Sequence, residues 1–132
     1  MAKSMAQMIA EARARVEHLG PDQVAGEMAG GEVLLVDLRE AGERAEHGMI
    51  PGAIHVPTGT LGSVADPSSP AHRPEFTTGR RIILHCASGV RSALAADAMA
   101  GLGFGNVAHL DGGIHAWETA GRPVEDAPSA PS

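Results

Sequence analysis

The chain has 132 residues, with 16 acidic against 10 basic for a formal charge of −6; the length suits one domain with one core, and the charge argues against a general nucleic-acid-binding surface. At 43% hydrophobic and 20% charged the composition is that of an ordinary globular protein, and two Phe, one Trp and no Tyr leave the core to aliphatic side chains. A single cysteine, Cys86, excludes an internal disulfide and a thiolate metal cluster.

In chain order, Met5, Met8, Ile9, Ala12 and Val16 fall at helical spacing over residues 5–18, and Gly20-Pro21 stops the pattern. Residues 1–20 therefore read as an amphipathic helical arm, free to pack on its own domain or to make a homodimer with a second copy. The early charges Glu11, Arg13, Arg15 and Glu17 leave no stretch suited to a secretory signal or a membrane span, so a cytoplasmic protein with no membrane partner is expected. Pro21-Asp22 opens a second helix to about Ala29, and Gly30-Gly31 leads into Val33-Leu34-Leu35-Val36, a buried strand. Arg39 to Glu46 has helical composition, the turn 47–52 follows, and Ala53-Ile54-His55-Val56 reads as a short strand.

Residues 57–80, rich in Gly, Pro, Ser and Thr, show no steady period and read as a long loop, a candidate pocket rim to which His72-Arg73-Pro74-Glu75-Phe76 contributes. Arg81 to Cys86 is a strand, Ser92 to Ala100 an Ala-rich helix ended by Gly101 or Gly103, Val107 to Leu110 a strand, and Gly113 to about Ala120 a last helix holding Trp117. Strands alternating with helices predict a parallel α/β sheet. Residues 125–132, with their Pro, Ser and acidic residues, read as a disordered tail.

Composition alone favours Cys86 as a small buried hydrophobe. Its place argues otherwise, because it ends a buried strand just before a helix, where ligands bind in open parallel sheets and helix N–H groups converge. A free thiol titrates near about 8.5, and a helix N-terminus with a nearby Arg lowers that value, so a thiolate near neutrality is expected. Gly89 permits backbone angles that let the N–H groups of residues 87–91 ring one sulfur atom. Ser88 and Ser92 add hydroxyl donors, and Arg91 adds a fork suited to an oxyanion, unless it is spent in a structural ion pair.

Four patches resemble the rhodanese family over about residues 21–124: Val36-Asp37-Leu38-Arg39-Glu40; His47 to Pro57; the loop His85-Cys86-Ala87-Ser88-Gly89-Val90-Arg91-Ser92; and Leu110-Asp111-Gly112-Gly113-Ile114-His115-Ala116-Trp117. The resemblance implies a three-layer α/β fold with a central parallel five-stranded sheet flanked by helices, here with the extra N-terminal helix. It implies a sulfurtransferase in which Cys86 carries a sulfane sulfur from thiosulfate or a related persulfide donor to cyanide or a thiol. Ala87, Ser88, Gly89, Val90, Arg91 and Ser92 then bind the donor. Phosphatases and arsenate reductases of similar architecture place five residues between Cys and Arg, whereas Ala87, Ser88, Gly89 and Val90 make four here, a ring better suited to one sulfur than to a phosphate. Such a phosphatase or reductase is the second reading, and a non-catalytic binding module the third.

The resemblance gives Asp37 and Arg39 the look of fold-stabilising contacts. His85, preceding the nucleophile on a strand, should point to the opposite face as a hydrogen-bonded core histidine. The seven His show no tight pair at metal-ligand spacing, so no metal or cofactor is implied.

Overall fold

The computed structural model describes residues 2–127. Five parallel strands form one sheet in the order β1-β5-β4-β2-β3, namely β1 (Glu17–Leu19), β2 (Leu34–Asp37), β3 (Ile54–His55), β4 (Ile82–His85) and β5 (Val107–Leu110). The helices are α1 (Met5–Arg15), α2 (Pro21–Ala29), α3 (Ala41–His47), α4 (Leu61–Ala65), α5 (Val90–Gly101) and α6 (Gly113–Thr119). Each pair of consecutive strands is joined through a helix, as parallel pairing demands. This is the expected three-layer α/β fold with an added N-terminal helix.

β2 and β4 are buried at every position, which is why they read as continuous apolar runs rather than alternating ones. The pleat divides their side chains between two cores. Leu34, Val36, Ile82 and Leu84 pack with Ala95, Ala96 and Met99 of α5 and with Phe76 and Phe104. On the other face Leu35, Ile83, Ala108 and Leu110 pack with Val24 of α2 and with Ile114 and Trp117 of α6.

α1 starts at a capping box in which Gln7 N–H donates to Ser4 Oγ and Ser4 N–H donates to Gln7 Oε1. The arm lies on α5 of its own domain, with Ala12 buried and Arg15 forked onto Asp97 at 2.8 and 2.7 Å. Met5 and Met8 stay exposed. The helical pattern extended to His18 is corrected here. The helix stops at Arg15, Val16 is extended, and Glu17, His18 and Leu19 pair with Ala108, His109 and Leu110. Pairing with β5 overrides a local period that three residues are too few to contradict.

Two further segments differ from their sequence reading. Residues 57–80 are not one long loop, since a 3₁₀ turn at Thr58–Thr60 runs into α4. Phe76, assigned to a pocket rim, is 1% exposed and belongs to the core. The segment assigned to a disordered tail begins with an ordered residue, because Glu125 and Met49 exchange backbone hydrogen bonds of 2.7 and 2.9 Å. Trp117 Nε1 holds the approach to that bridge by donating to the Pro123 carbonyl at 2.8 Å. Residues 128–132 of that tail lie outside the described residues.

Candidate active site

Cys86 follows the last residue of β4 and is 1% exposed. Strand alternation puts it on the α5 side with Leu84, and His85 on the opposite side. The chain then turns through Ala87, Ser88 and Gly89 into α5. Gly89 has φ 101°, a left-handed conformation that other residues adopt only with strain, and its N–H donates to Cys86 Sγ at 3.1 Å. Ser88 stands exposed at the tip, Val90 is half exposed, and Ala87 is partly buried.

The orientation of this loop comes from α6. Ile114 N–H donates to the Cys86 carbonyl at 2.9 Å and His115 N–H to the Ala87 carbonyl at 3.2 Å. In a trans peptide the N–H points opposite to the carbonyl, so fixing those two carbonyls on α6 turns the Ala87 and Ser88 N–H groups away from α6. So close an approach requires glycine. Gly113 has φ 61°, and a Cβ there would collide with the Ala87 carbonyl. The Asp111-Gly112-Gly113 patch thus serves the cysteine loop, from a different part of the chain.

Ser92, buried in the first turn of α5, places its Oγ 3.6 Å from Cys86 Sγ. That hydroxyl is 2.9 Å from His109 Nδ1, His109 Nε2 is 2.7 Å from His18 Nδ1, and His18 Nε2 is 2.7 Å from the Arg13 carbonyl. Neither histidine was a candidate from sequence, since they lie 91 residues apart. The signal is the β1–β5 register, which aligns His18 with His109, and β1 was itself unread. Among the described residues these two rings and Asp111 bring three possible ligand atoms within 4.8 Å of one another. As placed, however, the rings are hydrogen-bonded to each other, and Asp111 is paired with Arg13 at 3.1 Å.

Arg91, the expected oxyanion fork, is engaged elsewhere. Its two terminal nitrogens each donate to one Glu43 oxygen at 2.7 Å. This is the structural pair that the sequence left open, and the Arg91 hydrogen bonds hold the Glu43 carboxyl down to about 2 against the opposing effect of burial. Arg91 also borders an apolar groove of about 280 Å³ between α4 and α5, with Thr58, Leu61 and Leu94 among its walls. The 57–80 segment therefore does supply a rim, through its first residues rather than through Phe76.

Behind the loop, Asp37 accepts from Arg39 Nε and a terminal Arg39 nitrogen at 3.1 and 3.0 Å and from the Arg39 backbone N–H at 3.0 Å. Arg44 Nε lies 3.2 Å from the same carboxylate. Burial alone would raise the Asp37 pKa, yet the Arg39 hydrogen bonds and charge outweigh it and leave the carboxyl below its usual range. Asp37 and Arg39 are structural, as read. His85 departs from its reading: it is fully buried, but neither ring nitrogen has a hydrogen-bond partner. Burial pushes its pKa to about 4 against the pull of Asp37, so the ring is neutral at pH 7.

Comparison with known proteins agrees with this geometry. The family model described as rhodanese-like domain matches residues 20–120. A protein named sulfurtransferase from Allochromatium vinosum is 37% identical over 93 residues, covering 70% of this chain and 78% of that protein. A thiosulfate sulfurtransferase GlpE from Actinobacillus succinogenes is 31% identical, covering 71% and 77%. Among solved structures, a Rhodopseudomonas palustris protein described as of unknown function, possible tyrosine phosphatase, superposes with a TM-score of 0.89 at 35% identity, covering 95% of this chain and 96% of its own. By its sequence match, its sheet order and its cysteine loop, the chain belongs to the rhodanese-like domain family.

Proposed function

We propose that this protein is a sulfurtransferase that passes a sulfane sulfur from thiosulfate, or a related persulfide donor, to cyanide or a thiol through a persulfide on Cys86. The supporting observation is the tight loop at one sulfur atom, with Gly89 N–H on Sγ at 3.1 Å and the Cys86 and Ala87 carbonyls held by α6. The Cys86 thiolate attacks the outer sulfur of thiosulfate; the new bond joins Sγ to that sulfur, the S–S bond of thiosulfate breaks, and its electron pair leaves with sulfite. The persulfide anion rests on the N–H groups of residues 87–91, and Ser92 lies beside it. Arg91 contributes positive charge at the loop end, in competition with Glu43. An acceptor nucleophile then takes the outer sulfur and returns the Cys86 thiolate.

Mass spectrometry after thiosulfate treatment should show one added sulfur that cyanide removes, with thiocyanate appearing. Cys86→Ser should abolish both steps. No adduct on intact wild-type protein would overturn the assignment. The phosphatase reading draws on the description of the Rhodopseudomonas palustris neighbour. The five residues that phosphatases of similar architecture place between Cys and Arg are one more than the four found here, and p-nitrophenyl phosphate hydrolysis without thiocyanate formation would favour the phosphatase reading.

A further inference from the structure

From Cys86, one hydrogen-bonded line runs through Ser92 and His109 to His18, from a buried sulfur to a half-buried ring. Its polarity follows from its far end. A carbonyl only accepts, so His18 Nε2, 2.7 Å from the Arg13 carbonyl, carries a hydrogen. In a neutral ring His18 Nδ1 is then the acceptor, which makes His109 Nε2 the donor at 2.7 Å. His109 Nδ1 must in turn accept from the Ser92 hydroxyl at 2.9 Å. Ser92 Oγ is left to accept from the Cys86 thiol at 3.6 Å. One backbone carbonyl fixes the tautomer of both histidines.

We propose that this line is a proton relay that carries the Cys86 thiol proton to His18 and so forms the thiolate that the sulfur transfer proposed above requires. Three protons each move one place: from Sγ to Ser92 Oγ, from Ser92 Oγ to His109 Nδ1, and from His109 Nε2 to His18 Nδ1. The products are a Cys86 thiolate accepting from the Ser92 hydroxyl, a neutral His109 in its other tautomer, and a His18 imidazolium that still donates to the Arg13 carbonyl. No bond between heavy atoms changes, and charge is conserved. The groups facing His109 suit a conduit rather than a store. Burial, any charge placed on His18, and Arg13 push its pKa down while Asp111 pulls the other way, leaving it at about 4. His109 therefore passes a proton without keeping it, and His18, partly open to water, hands it on. The 2.7 Å between the rings is a hydrogen-bond distance; two nitrogens bound tetrahedrally to one zinc would stand about 3.3 Å apart. His109 and His18 act through Ser92 and are positioning residues.

The relay is tested by the pH dependence of Cys86 alkylation by iodoacetamide in the full chain, with persulfide loading from thiosulfate followed in parallel. Ser92→Ala and His109→Gln should alkylate about tenfold more slowly near neutrality, the loss expected when thiolate forms one pH unit later, and should match wild type in alkaline buffer. The conservative Ser92→Thr should keep the wild-type profile. His18→Ala, at a partly exposed site, should show the same deficit and recover with added imidazole. Neutral-pH rates equal to wild type in all three disabling variants would overturn the relay, as would a deficit that persists in alkaline buffer. A variant-sensitive profile without persulfide in wild type would leave the relay standing and remove the sulfurtransferase reading; persulfide with a variant-insensitive profile would do the reverse.

Discussion

Glu43 and Arg91 meet at the end of the cysteine loop through two 2.7 Å hydrogen bonds, a geometry that occupies the guanidinium fork a donor anion would need. Glu43→Gln removes the competing charge and keeps the side-chain shape. The expected result is a severalfold lower KM for thiosulfate with kcat little changed, read from initial rates of thiocyanate formation. Unchanged constants would assign Arg91 to structure alone. Sequence supplied both roles for Arg91 but no means of choosing between them, since Glu43 lies 48 residues away. Cys86, Gly89 and Ser92 were legible because their roles depend on near neighbours in one loop. His85 shows the opposite limit: strand alternation gave its face, but whether a buried ring finds a hydrogen-bond partner depends on tertiary placement that no period reports.

At the scale of elements, strands and helices with unmixed patterns were readable, as was the two-residue β3 after its turn, whereas β1 and α4 were not. β2, β4, β5 and α5 carry apolar runs or small-residue repeats that local physics reads unaided. β1, with three residues, and α4, with five, are shorter than any window that separates a period of 2 from one of 3.6. Both are fixed by what they touch. In the segment after α4 the anchor is Phe76, 1% exposed among Leu61, Ala65 and Met99. Phe76→Ala should cost about 3–5 kcal/mol, the usual range for emptying a buried aromatic site, measured by urea unfolding. A loss below about 1 kcal/mol would mean that the segment collapses to fill the space.

For the molecule as a whole, the buried titratable groups predict a one-sided response to pH. The folded-state pKa values of His85 and His109 sit at about 4 against a usual 6.5, so between those values the unfolded chain binds protons that the folded chain refuses. Stability is thus complete above pH 6.5 and falls as pH drops toward 4, with His85 contributing at most about 3 kcal/mol. Glu43, held at about 2 against a usual 4.5, adds a smaller loss as pH falls from 4.5 toward 2, reduced because the pair is a third exposed. Urea midpoints measured across this range should decline steadily below pH 6.5, and His85→Leu should flatten the first part of the decline. A midpoint constant from pH 6.5 to 4 in wild type would refute this account. The arm that closes the sheet edge carries a different consequence. β1 and β5 join residues 91 positions apart, a closure with large chain-entropy cost and therefore slow to form. Until that edge strand docks, the imidazole at position 18 is absent from the proposed relay, so full reactivity of the sulfur requires a closed sheet edge.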